Sequence, residues 1–253
     1  MVEALFWPAL LGYGEAALAY ASPRTARAAT WGVRLGWLAQ TALLAAQAAR
    51  ADGFPWASFS GSLNLFVWLV VGAYLIWGCR PRFRLLGLSV MPLAAALFAV
   101  ARVGGGTGAG SGGAYGSVFL VLHVGFVLAA FAGFTLAAAL AGLYLWQERR
   151  LKSRAADILR LRLPPLAALE RLTWRTVVVS LPLLTLGLAA GIVRLRQDGA
   201  AFDALEAVTL LTWLVYGAFL ALRPSGRRAA YLALGGFALV ILARLVLAGS
   251  HFT

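Results

Sequence analysis

A chain of 253 residues that is 62% hydrophobic and only 12% charged has half the solvating charge of an ordinary soluble domain, which averages about 25%. Together with a mean hydropathy of +0.83, this excludes a water-soluble globule and makes the number of bilayer crossings the first question. The net charge of +13 is arginine and lysine spread over short connections, a pattern that fixes membrane topology and gives no reason to expect nucleic acid as a partner. Cys79 is the only cysteine, so neither an intrachain disulfide nor a Cys-based metal centre is expected.

Taken in order, the apolar runs predict an all-α, polytopic bundle of about eight transmembrane helices forming one domain, with spans near 2–21, 31–49, 61–79, 85–102, 117–146, 174–195, 206–222 and 229–250. The first run carries Glu3 and Glu15, has no basic start and leads straight into further runs, so it reads as a span and not a removable signal peptide. Glu15, deep in that span, and Arg34, at comparable depth in the next, predict an ion pair across the hairpin. Trp7, Trp31, Trp56 and Trp174 fall near helix ends, where an amphipathic ring sits well at the membrane interface. Residues 103–116 (VGGGTGAGSGGAYG) read as a Gly-rich linker, because no βαβ unit surrounds them to make a phosphate loop. Residues 147–173 alternate apolar residues and arginines around Pro164 and Pro165, which predicts an amphipathic interfacial connection. Asp203 and Glu206, three apart at the start of the seventh span, suit the positive end of a helix.

Arginine placement sets the orientation. Sixteen basic residues lie in the connections that follow odd-numbered spans and four on the opposite side, Arg50, Arg102, Arg194 and Arg196. The richer side is expected to face the cytoplasm, which puts both termini outside. His123, one or two turns inside the outer end of the fifth span, and His251, at the outer end of the eighth, then fall on the same side at similar depth. Two imidazoles from facing helices in an apolar slot are what a bis-histidine haem requires. Two interfacial histidines that merely hydrogen-bond neighbouring helices satisfy the same pattern. Arg244 lies seven residues before His251, two turns away on much the same face, and is a candidate partner for a propionate, as are Arg194, Arg196 and Arg102. Snorkelling is the other use for such arginines. Trp213, inside the seventh span, is a candidate to pack on the porphyrin or in the core.

Several segments resemble the cytochrome c assembly (CcsA/CcmC/HemX) family of membrane proteins. Leu122–Lys152 (LHVGFVLAAFAGFTLAAALAGLYLWQERRLK) is similar to a family helix that opens with a haem-ligand histidine. LPPLAALERL (163–172), FDALEAVTLLTWLVYGAFLALR (202–223) and the ending AGSHFT resemble, in order, a short cytoplasmic connection, a Thr-Trp-x-x-Tyr helix and the segment that supplies the second ligand. FSGSLNLFVW (59–68) and the proline of LSVMPLAAAL (88–97) are weaker echoes. The resemblance implies haem b held by His123 and His251, in a bacterial plasma membrane protein of c-type cytochrome biogenesis or haem handling. Haem, the lipid bilayer and cytochrome c assembly or haem-synthesis proteins are the partners it implies. The family's haem-presenting members carry a tryptophan-rich outer loop; here RLRQDGAAFDALE (194–206) has none, and there is no third histidine. That departure points to the HemX-like branch and away from a complete haem lyase. No Ser/His/Asp arrangement, HExxH motif or facing carboxylate pair indicates an enzyme. Two alternatives stand: a redox subunit passing electrons between quinone and an outer partner through haem b, and a haem-free scaffold that regulates haem synthesis through 147–173.

Overall fold

The computed structural model describes residues 3–22, 24–50, 54–56, 58–77, 83–108, 118–153, 164–198 and 204–242. Among them a 3-10 turn, Glu3–Leu5, precedes eight α-helices: α1 Phe6–Ala19, α2 Ala26–Ala48, α3 Phe59–Trp77, α4 Arg84–Val103, α5 Val118–Lys152, α6 Leu166–Asp198, α7 Ala204–Leu222 and α8 Gly226–Ile241. Each lies on one of the expected apolar runs. Helix is the outcome because a backbone in hydrocarbon must satisfy its own N–H and C=O groups. Five of the eight, α3 to α7, are long and apolar enough to cross a membrane. The 14 residues of α1 rise only about 21 Å against a hydrocarbon core of about 30 Å, and α2 carries Arg27 and Arg34.

α5 is the axis of the bundle. It packs along α6 and also meets α8 and α3, and it is buried without a break from Ala130 to Ala138. A helix that is apolar all round belongs inside, and the Ala and Gly of this stretch let its neighbours approach on every side. Phe134 stacks on Tyr216 of α7 with centroids 3.7 Å apart, and the Tyr216 hydroxyl donates to the Ala233 carbonyl of α8 at 3.0 Å. The end of the bundle rich in arginine is tied by Arg227, which donates to Glu148 at 2.7 Å, and by the Gly226 N–H, which donates to Glu170 at 3.0 Å.

The expected Glu15–Arg34 ion pair does not form. α1 and α2 meet through glycine: a Cβ on Gly12 would lie 2.8 Å from both the Gly32 carbonyl oxygen and Gly36 Cα. That close approach turns Glu15 and Arg34 to the outside, where the Arg34 guanidinium lies over the Trp31 ring. Residues 104–108 also depart from the linker expected of them. The Gln47 amide donates to the carbonyls of Gly106 and Gly108, Asn64 donates to Gly106, and the Ser60 hydroxyl donates to Gly104 at 2.6 Å. A Cβ at Gly106 would overlap the Ser60 carbonyl, so only glycine fits there. The same network continues inward, with Asn64 donating to Gln47, Gln40 donating to Asn64, and the Tyr13 hydroxyl donating to Gln40 at 2.6 Å. Finally, α5 and α6 run into both ends of the segment read as a connection, taking 147–152 and 166–173. Residues 154–163 of that segment, 109–116 of the Gly-rich stretch, Cys79 and Asp203 lie outside the described residues.

Candidate functional site

His123 sits in the second turn of α5, half-buried, and faces α6. Its Nδ1 lies 2.7 Å from the backbone carbonyl oxygen of Gly187. A carbonyl only accepts, so Nδ1 carries a proton. Metal-binding histidines are commonly oriented in this way, one ring nitrogen donating to a backbone carbonyl while the other keeps its lone pair.

The α6 backbone is shaped for that ring. A Cβ at Gly191 would lie 2.6 Å from His123 Nδ1 and 2.8 Å from Cε1, and a Cβ at Gly187 would lie 2.7 Å from Val127 Cγ2 and 3.0 Å from Val127 N. Any side chain at 191 would therefore displace the imidazole, and any at 187 would push α5 away. GLAAG (187–191) is a small-xxx-small motif of the kind that lets membrane helices approach closely. Sequence reasoning passed over it, although the signal was in plain view.

The arginines expected near the site separate on inspection. Position 194 lies seven residues beyond Gly187 and three beyond Gly191, on the same face of α6 as the cleft; the Arg194 side chain is outside the described residues. Arg196, two further on, is exposed on another face. Arg102 is engaged elsewhere, donating to Thr107 at 3.4 Å and lying over the Phe6 ring of α1. Trp213 donates to the Thr185 hydroxyl at 2.9 Å. Thr185 precedes Gly187 by two residues, about 200° around α6, so the structure brings Trp213 to the side of α6 away from His123. Arg244 and His251 lie outside the described residues. Glu206 falls in the first turn of α7.

No group of three or more His, Cys, Asp or Glu side chains among the described residues forms a metal site. An apolar cavity of about 530 Å3, lined by Phe66, Leu88, Leu93, Ala138, Trp146 and Phe237 among others, opens between α3, α4, α5 and α8. Its α5 wall begins at Thr135, twelve residues from His123 or about 18 Å along the helix.

Comparison with known proteins gives these features a context. The model of the family described as Cytochrome C assembly protein matches residues 56–250. The cytochrome c biogenesis protein CcsA of Microcystis aeruginosa is 27% identical over a match covering 83% of this chain and 80% of that protein. CcsA of Gloeothece citriformis is likewise 27% identical, covering 83% and 81%, and CcsA of Guillardia theta is 32% identical over about half of each chain, 49% and 48%. An all-helical membrane bundle matched by the family model from α3 to beyond α8 is a member of the cytochrome c assembly protein family.

Proposed function

We propose that this chain handles haem b in c-type cytochrome assembly, holding the iron between His123 and His251 at the outer face of a bacterial plasma membrane. The observation that carries this reading is the His123 imidazole, seated against the Gly187 carbonyl in a cleft that only glycine at 191 leaves open. A hydrogen bond to a helix carbonyl would satisfy a merely structural histidine too; the two glycines of α6 that clear room for α5 and for the ring make this arrangement more specific. α8 packs against α5 and starts beside its end, at the Arg227–Glu148 pair, so the two run antiparallel, and His251 follows α8 in the sequence.

In this reading His123 and His251 would hold the haem, which would supply ferric–ferrous redox chemistry. Gly187 fixes the tautomer and orientation of His123. Arg194, on the cleft face, is the first candidate to neutralise a propionate and Arg244 the second; Arg196 and Arg102 are the weaker ones. The absence of tryptophan from 194–206 supports the HemX-like side of the family and a carrier or sensor of haem over a haem lyase. The excess of arginine on one side supports external termini. A quinone-linked redox role finds less support, because the apolar cavity sits toward the arginine-rich end of α5.

The test is a reduced-minus-oxidised visible spectrum of the detergent-purified protein beside His123→Ala and His251→Ala. Sharp reduced α- and β-bands, lost in both variants, are the expected result. A protein that stays colourless after haem is added overturns the proposal and favours a scaffold acting through 147–173.

A further inference from the structure

At the opposite end of α6 from His123, a cleft of about 690 Å3 opens between the start of α6, the end of α7 and the start of α8. Three arginines line it, Arg171, Arg175 and Arg223, with one carboxylate, Glu170. That carboxylate is committed to the fold, since its Oε1 accepts the Gly226 N–H at 3.0 Å. Arg171 donates to the Ala167 carbonyl of its own helix. Among the described residues no carboxylate pairs with any of the three guanidiniums, whereas Arg227 of the same α8 is paired with Glu148. The cleft therefore gathers three guanidiniums that no carboxylate of the described residues neutralises.

A second observation concerns the backbone. Arg223 follows the last residue of α7 and has φ +44, in the left-handed region that costs any residue with a Cβ. This is the position after a helix where glycine is the common choice, and Gly226, three residues on, shows the chain using glycine for its own left-handed turn at φ +61. Helix termination accounts for the left-handed turn but not for an arginine in it, at the lip of a cleft with two more arginines and at a cost that glycine would avoid. Trp174 and Phe219 complete the wall, which gives the cleft the aromatic-and-basic character of a membrane interface.

From this juxtaposition we infer that the cleft formed by Arg171, Arg175 and Arg223 binds a phosphate group, with the phosphate of an anionic phospholipid headgroup or of a soluble phosphate compound as its source. Planar guanidiniums suit phosphate oxygens through paired hydrogen bonds. Basic pockets between membrane helices recognise anionic headgroups by this chemistry.

The experiment uses the full chain in nanodiscs of zwitterionic phosphatidylcholine, titrated with dioleoylphosphatidylglycerol and read by native mass spectrometry and by the thermal midpoint. The wild type is expected to bind one or two phosphatidylglycerol molecules saturably. Arg175→Gln and Arg223→Gln are each expected to weaken that binding about fivefold, and the double variant about twentyfold or more. Arg24→Gln and Arg27→Gln, which remove the same charge from the α1–α2 hairpin, are expected to leave it unchanged. Arg223→Gly is the discriminating variant: it is expected to raise the thermal midpoint without lipid, because the strain is relieved, while still losing affinity. Saturable binding that millimolar inorganic phosphate displaces identifies a soluble phosphate as the source, and binding that phosphate leaves untouched identifies lipid; both support the site. Equal loss in the cleft variants and the hairpin controls overturns it, as does binding that never saturates.

Discussion

The same device, glycine at four-residue spacing on a helix, serves two different ends in the two halves of this bundle. Between α1 and α2, Gly12 and Gly32 bring backbone against backbone, and Gly36 also makes room for the Tyr13 ring. Between α5 and α6, Gly187 and Gly191 also remove side chains, but the space at 191 is taken up by the His123 ring. In the first case the missing Cβ atoms contribute dispersion contact between helices, which is the main attraction available where lipid is as apolar as the protein. In the second they make a slot for one polar group and supply the carbonyl that orients it. A small-residue motif thus indicates close approach, and what fills the gap decides whether it is a joint or a site.

Substitutions that add volume separate the two uses. The largest effect is expected from Gly191→Val, which must expel the imidazole: haem retention, read from the reduced α-band, should fall about a hundredfold, the upper end of what loss of an orienting partner costs, while the helical circular dichroism signal persists. Gly12→Val should do the opposite, lowering stability by about 3 kcal/mol in a denaturant titration through overpacking and leaving the spectrum of the remaining folded protein unchanged. Gly133→Ala is next, because its Cβ would overlap the Ser180 hydroxyl; a loss of about 1–2 kcal/mol is expected, largely recovered in the double variant with Ser180→Ala. If the double variant is no better than the single, the contact is not where the strain lies. The smallest effect has the reverse sign. Gly142 lies in α5 with nothing within 4 Å of a would-be Cβ, so Gly142→Ala should stabilise by about 0.5 kcal/mol from helix propensity alone.

These contrasts also mark where the sequence could be read and where it could not. The eight helices were legible because hydrocarbon leaves the backbone one way to satisfy itself, and length and hydropathy report that directly. Which way a helix faces was not. Glu15 and Arg34 match in depth, but the azimuth of α1 on α2 follows from Gly12, Gly32 and Gly36, and it turns both charges outward. Residues 104–108 read as a linker by composition, yet their partners Gln47, Ser60 and Asn64 come from two other helices, more than forty residues earlier in the chain. For the site, His123 stood out as one of two histidines. Its partner, a backbone carbonyl in α6, has no side chain to announce it, and only the GLAAG spacing could have pointed there. Trp213 was an attractive porphyrin partner by type, and helical phase places it on the other side of α6.

The amide chain from Tyr13 through Gln40, Asn64 and Gln47 to the carbonyls of Gly106 and Gly108 has a consequence for biogenesis. Its members come from α1, α2, α3 and the segment after α4, so no partial set of these segments can satisfy it. A nascent chain that had inserted α1 to α3 alone would carry Gln47 and Asn64 with donors unmet in a poorly hydrated environment, where a half-satisfied network costs more than none. The network is therefore complete only once α1, α2, α3 and the segment after α4 are all in place, and the finished bundle buries its amides.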